Sequence, residues 1–255
     1  MSGRVLVTDP LAADGLAILK DGKLEVDVRT GLKGQDLLDA VKDYDALIVR
    51  SETRVTAEVI AAGKNLQIIG RAGVGVDNID VDAATARGII VVNAPTGNTV
   101  SAAELTFGLM MAMARNIAQA DASMRKGEWR RSEFVGVELR GKTLGIVGLG
   151  RVGTELAKRA RAFEMRIVAY DPYVSQERAR DIGAELDTLD NVLKTADFLS
   201  VHTPLTDATK SLITAKELAM MKKGVRIVNA ARGGIIDEQA LYDAVESGHV
   251  AAGAI

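Results

Sequence analysis

The chain contains no cysteine, which removes disulfide frameworks, thiolate metal clusters and cysteine nucleophiles together. Histidine is nearly absent as well: with only two in 255 residues a histidine-rich zinc site is not expected, and no metal is assigned. Charge of one sign is not in excess. Lys+Arg (32) against Asp+Glu (34) leave a formal −2, without the basic surplus that non-specific nucleic-acid binding exploits. No apolar run approaches membrane-spanning length, and the first one meets charge at Asp9 too early for a secretory signal. The expectation is a cytoplasmic chain with neither nucleic-acid nor membrane partners. Aromatic residues are scarce, and Trp129 beside Lys126, Arg130 and Arg131 is a single ring where a nucleic-acid patch needs several. A solvated cluster, or a loop carrying basic charge toward a neighbouring subunit, are the open readings of that segment.

What is present is apolar residue in short runs, 47% of the chain and enough for a sizeable core. Runs rich in Val and Ile at 4–8, 46–49, 66–69 and 89–92 read as buried parallel strands, separated by helical spacing at 11–20, 35–41, 57–62 and 81–87. This β/α alternation over residues 1–97 defines a first doubly wound domain. Pro95 and Gly97 punctuate the chain, and Thr99 to about Lys126 then reads as one long apolar helix. A second alternation follows, with strands at 144–147, 166–170, 198–201, 225–229 and from Val250, and helices at 153–162, 176–181, 215–220 and 238–247. Residues 98–255 are thus a second α/β domain. The halves echo each other: Asp45 to Ser51 resembles Asp197 to Thr203, and Gln67 to Gly73 resembles Val225 to Gly233. Duplication and convergence of strand-end chemistry both remain open.

The strongest local signal is Gly148-Leu149-Gly150-Arg151-Val152-Gly153, directly after a strand and opening a helix. Gly148 suits the tight turn, Gly150 close approach of a pyrophosphate, and Gly153 helix-to-strand packing. Asp171 ends the next strand, where a carboxylate accepts from ribose hydroxyls and repels a 2′-phosphate, so NAD is expected rather than NADP. Arg232, in Asn229-Ala230-Ala231-Arg232-Gly233-Gly234, follows a buried-type strand, and its guanidinium suits a carboxylate and an adjacent carbonyl; a surface pair with Asp237 is the plainer alternative. Arg50-Ser51 and Arg71 end neighbouring strands of the first domain beside Gly73-Val74-Gly75, a turn whose amides are expected to form an anion-binding concavity. Solvated strand-end arginines are the bland reading. His202, in His202-Thr203-Pro204, reads as a wall or hydrogen-bond anchor near the cofactor before it reads as an acid or base, and His249 as an exposed turn residue.

In combination and order, Arg50-Ser51, Gly70 to Asp80, Ser101 to Leu105, Gly148 to Gly153, Tyr170 to Tyr173, His202 to Pro204 and Asn229 to Gly234 resemble the NAD-dependent D-2-hydroxyacid dehydrogenases over essentially the whole chain. Arg50-Ser51 with Gly70 to Gly73 is similar to the phosphoglycerate branch. The resemblance implies a flavodoxin-like substrate domain and a Rossmann NAD-binding domain. It also implies oxidation of D-3-phosphoglycerate by hydride transfer to NAD, the first committed step of serine synthesis. Arg232 would orient the substrate. Arg50, Ser51, Arg71, Gly73, Val74, Gly75 and Asn98 would bind it. The cofactor would lie against Gly148, Gly150, Arg151, Val152, Gly153, Asp171, His202, Thr203, Pro204, Ala230, Ala231 and Arg232. A homodimer or homotetramer is implied, seamed by the helix at 99–126.

In the family, the strand begun at Val250 runs into an Asp, then a Glu and the His it makes more basic, which exchanges the hydroxyl proton; none of these is in the sequence. A segment that returns to complete the first domain is likewise absent. The expectation is a C-terminally truncated fragment that binds NADH weakly to moderately and turns over roughly 10²- to 10⁴-fold slowly. Competing readings are a glycerate-, glyoxylate- or formate-type dehydrogenase and an NADH-sensing corepressor-like binding module.

Overall fold

A computed structural model describes residues 3–255, and the chain divides into two compact units, Met1–Asn98 and Thr99–Ile255. Unit 1 runs β1 (Arg4–Val7), α1 (Ala13–Asp21), β2 (Glu25–Val28), α2 (Gly34–Ala40), β3 (Ala46–Val49), α3 (Ala57–Ala62), β4 (Ile68–Arg71), α4 (Val81–Ala86) and β5 (Ile90–Asn93). Its sheet is parallel throughout in the order β2-β1-β3-β4-β5, the flavodoxin-like arrangement the resemblance implies. The core lies where Leu6, Leu47, Val49 and Ile69 of the inner strands meet Leu37, Val59 and Ile60 of α2 and α3. By contrast α1 buries no residue.

Unit 2 opens with α5 (Thr99–Ala114) and α6 (Ile117–Arg125). It continues as β6 (Thr143–Val147), α7 (Arg151–Ala162), β7 (Arg166–Tyr170), α8 (Gln176–Ile182), β8 (Glu185–Leu186), α9 (Leu189–Thr195), β9 (Phe198–Val201), α10 (Ala215–Met220), β10 (Val225–Val228), α11 (Glu238–Glu246) and β11 (Val250–Ala254). The parallel order β11-β10-β9-β6-β7-β8 is that of a dinucleotide-binding Rossmann sheet. One face packs on Met110 and Ala114 of α5 and Leu156 and Ala160 of α7, the other on Leu193 of α9, Leu218 of α10 and Leu241 of α11. Covered on both faces, β6 is buried along its whole length, which is why it reads as an unbroken apolar run.

The expected single helix over 99–126 is two. Asn116 takes a left-handed conformation (φ 54°, ψ 36°), and Val137 donates its N–H to the Ala114 carbonyl at 2.7 Å. The carbonyl that would propagate the helix is thus taken by a returning strap, and asparagine tolerates the left-handed turn. Strand β4 begins and ends two residues later than the apolar run suggests. Gly70 and Arg71 carry no apolar side chain, yet they pair with Val92 and Asn93. Among the missed elements are β2, β8 and α9. The first two are edge strands with mostly exposed residues, formed by pairing with β1 and β7. Helix α9 does carry a local start signal, since Thr188 accepts from Asn191 N–H as its N-cap. The echo between the halves has a structural counterpart: Asp45 accepts Arg4 N–H at 2.8 Å and Asp197 accepts Thr143 N–H at 2.8 Å. In each unit an aspartate at the foot of one central strand holds the first residue of the other.

Candidate active site

Ligands of open parallel sheets collect at strand carboxyl ends where the strand order reverses, between β6 and β9 in unit 2 and between β1 and β3 in unit 1. In unit 2 this point is occupied by Gly148 and by His202-Thr203. Gly148 sits at φ 96°, and a side chain there would strike the His202 carbonyl group at 2.8 Å. A side chain on Gly153 would lie 2.3 Å from the Gly148 carbonyl oxygen, so the loop and the first turn of α7 touch backbone to backbone. Gly150, the N-cap of α7, is the opposite case: nothing lies within 4 Å of a side chain placed there. The backbone is therefore open to a ligand at the N-terminus of α7, an arrangement suited to a pyrophosphate.

Asp171, just past β7, accepts Leu149 N–H at 2.8 Å and Tyr173 N–H at 2.9 Å. It therefore ties the glycine loop to the turn beside it, a role in addition to the ribose contact expected of it. Thr203 Oγ1 is buried with no hydrogen-bond partner. A buried hydroxyl left unmade is unfavourable, and its place against the glycine loop fits a group supplied by a bound dinucleotide. Val152, Ala230 and Ala231 are half-buried on the same edge, while Arg151 and Pro204 are exposed.

His202 N–H bonds the Val147 carbonyl at 2.7 Å and its Nε2 pairs with Ser200 Oγ at 2.8 Å. Burial of the ring pushes its pKa down to about 4, so it is neutral near pH 7 and suits an anchor. The unfolded chain takes up a proton near pH 6.5 that the folded chain refuses until about pH 4, so this contribution is complete above pH 6.5 and is lost on acidification. Urea unfolding at pH 7 and pH 5 should show a steeper loss of stability in the wild type than in His202→Gln; parallel losses would refute the assignment.

Arg232 is half-buried and is placed by Asn229. The Asn229 Nδ2 donates to the Arg232 carbonyl at 2.7 Å, while its Oδ1 accepts Ala231 N–H at 3.1 Å and Arg232 N–H at 3.4 Å. The guanidinium in turn donates to the Ala231 carbonyl at 2.8 Å.

At the corresponding edge of unit 1, Arg50 and Ser51 are exposed after β3, and Arg71 is the half-buried last residue of β4. Asn78 joins them: its Nδ2 donates to the carbonyls of Arg50 and Thr53, each at 2.7 Å, and its Oδ1 accepts Arg71 Nε at 3.3 Å. Asp9, 1% exposed at the end of β1, accepts the N–H groups of Arg50 and Thr53 and the Thr53 hydroxyl. The Gly73 to Gly75 turn is held by Asn93, which donates to the Val74 carbonyl at 2.6 Å, and by Ala94 N–H on the Gly73 carbonyl. One feature of the expected anion concavity changes, because Gly73 N–H is turned back onto the Arg71 carbonyl at 2.8 Å. Asn98 ends unit 1, exposed in the turn beyond β5. Asp9 stands outside every sequence motif, while Asn78 and Asn229 lie within recognised segments without a role of their own being legible there. The available signal was a short polar side chain at or just past a strand's carboxyl end, or in the adjoining turn.

The chain belongs to the D-2-hydroxyacid dehydrogenases: residues 107–255 match the family described as D-isomer specific 2-hydroxyacid dehydrogenase, NAD binding domain. NAD is accordingly its cofactor. The chain is 54% identical over 252 residues to the D-3-phosphoglycerate dehydrogenase of Archaeoglobus fulgidus, a match covering 99% of this chain and 48% of that one. It thus spans about half the length of the curated relatives it matches. Among solved structures, the TT0316 protein from Thermus thermophilus superposes with a TM-score of 0.90 at 39% identity, over 98% of this chain and 81% of that one. The D-lactate dehydrogenase of Aquifex aeolicus, complexed with NAD and lactic acid, gives 0.87 at 27% identity, over 98% and 76%. No helix among the described residues is long and apolar enough to cross a membrane.

Proposed function

We propose that this chain carries the NAD-linked oxidation of D-3-phosphoglycerate to 3-phosphohydroxypyruvate. The observation that carries the substrate choice is Asn78, which fixes the Arg71 side chain and the backbone of Arg50 on one strand edge and so sets two cationic residues side by side for a molecule with two anionic groups. The name borne by the Archaeoglobus relative supports the same reading. Bound NAD supplies the hydride acceptor. The Gly148 to Gly153 loop and the α7 N-terminus hold its pyrophosphate, Asp171 its ribose, and Thr203 receives it with the hydroxyl that lacks a partner. Arg232 pairs with the substrate carboxylate and polarises the carbonyl that forms at C2. Neither histidine is placed for the accompanying proton. His202 is engaged with Ser200, and His249, at the opposite sheet edge, with the Leu218 carbonyl at 3.0 Å. A cytoplasmic homodimer or homotetramer completes the proposal, supported by the absence of cysteine and by Val100 and Leu105 exposed on α5.

Steady-state reduction with NADH is the test. 3-Phosphohydroxypyruvate should be used with kcat/KM at least about 100-fold above that for glyoxylate or pyruvate, in line with the two or more charge-assisted contacts that a phosphate adds. Equal use of unphosphorylated 2-oxo acids would replace this reading with a glyoxylate-type enzyme.

A further inference from the structure

The glycine loop, His202 and Asn229 occupy the carboxyl edge of the unit 2 sheet. At its amino edge, a distance of about 15 Å for strands of this length, the feet of β6, β9, β10 and β11 border a cavity of about 350 Å³. This lies at the small end of the ~300–1,000 Å³ range of ligand pockets. Its walls carry Lys142, Lys222, Lys223 and Arg226 against one acid, Asp197.

That acid is already used. Asp197 accepts Thr143 N–H at 2.8 Å and Lys222 Nζ at 3.0 Å. Burial pushes its carboxyl upward, but these two donors, with the charges of Lys222 and the more distant Lys142, outweigh burial and hold it below the ordinary carboxylate value. It therefore stays ionised and balances one lysine. Lys142, Lys223 and Arg226 have no carboxylate within 4.0 Å among the described residues. Arg226 is the most exacting of the three. Its Nε is buried without a hydrogen-bond partner, its Cζ lies 5.7 Å from the centre of the Phe198 ring, and Nη1 has only a long 3.4 Å bond to the Gly224 carbonyl. Burial lowers its pKa, as befits a cation that nothing nearby neutralises. Three cations beyond the Lys222–Asp197 pair face one cavity, of which only Lys142 feels the Asp197 charge, and then beyond ion-pair distance; in a chain whose formal charge is −2 this is a local concentration that overall composition does not account for.

We propose that this cavity is a second anion site, taking a small multivalent oxyanion such as phosphate or a phosphorylated carboxylic acid, with Arg226 as the directional donor and Lys142 and Lys223 as point charges. It is distinct from the pyrophosphate position, since the two lie on opposite edges of one sheet.

The test is calorimetric titration of the full chain with inorganic phosphate at fixed ionic strength and saturating NAD, so that the glycine loop is filled. Phosphate should bind the wild type, and binding should weaken at least tenfold in Lys142→Gln/Lys223→Gln, whose exposed side chains leave NAD affinity and phosphate-free thermal unfolding unchanged. It should persist in Arg50→Gln/Arg71→Gln, which removes the cationic edge of unit 1. Arg226→Gln should weaken it too, with thermal unfolding as the check that the variant folds. Absence of binding in the wild type, equal affinity in Lys142→Gln/Lys223→Gln, or displacement by chloride at the same ionic strength would each overturn the site.

Discussion

Gly153→Ala should lower the stability of unit 2 by about 3 kcal/mol, the upper part of the range for overpacking a tight core. For a unit of this size that is a fall in Tm of roughly 6–12 °C. The added methyl lies 2.3 Å from the Gly148 carbonyl oxygen and 3.3 Å from Ile146 Cγ2. Gly148 has little room to retreat: its N–H is held by the Tyr170 carbonyl at 2.8 Å, and the His202 carbonyl group stands behind it. Helix α7 must therefore lift from β6, and the amides proposed to face the pyrophosphate move with it. NADH affinity, read by fluorescence titration, should fall more than tenfold. Gly150→Ala is the control, because nothing lies within 4 Å of the added methyl in the ligand-free chain. It should leave Tm nearly unchanged while still reducing NADH affinity. Equal losses of Tm in the two variants would show that packing is not what Gly153 provides.

Arg232→Gln should reduce kcat/KM by roughly 10²- to 10³-fold, as for loss of one preorganised donor at a developing oxyanion, with much smaller change in the Kd for NADH. Lysine should restore the activity only in part, because an ammonium lacks the planar fork that engages carboxylate and carbonyl together. Asn229→Ala separates position from chemistry. Its side chain makes the three bonds that shape the loop carrying Arg232, so its removal should lower kcat/KM while leaving the guanidinium present. Activity of Arg232→Gln within about threefold of the wild type would remove it from the reaction.

Much of this arrangement is legible along the chain, and the rest is not, for reasons that differ from place to place. Gly148 to Gly153 is recognisable because turn, ligand approach and helix packing each demand glycine at a position defined by neighbours within six residues. Strands β6 and β9 announce themselves because burial on both faces leaves them mainly apolar, with Thr143 and Ser200 their buried polar residues. The edges are silent: β2 is Glu-Val-Asp-Val, a strand only because β1 offers it a ladder. The break at Asn116 depends on Val137, twenty-one residues away, reaching the Ala114 carbonyl.

The strand-end clusters of each unit show the same division. Alternating periodicity, strand-end arginines and the glycine loop by themselves determined a pair of parallel α/β units and a dinucleotide edge, since each is a local relation between residue type and backbone. Only the tertiary structure decided that Asp9 grips the Arg50 to Thr53 loop, that Asn78 joins Arg71 to it, and that Lys142, Lys223 and Arg226 meet around one cavity. Those relations join strands that are adjacent, or one strand removed, in the sheet but belong to separate segments of the chain. Strand order, which loop closure and packing settle together, places them side by side.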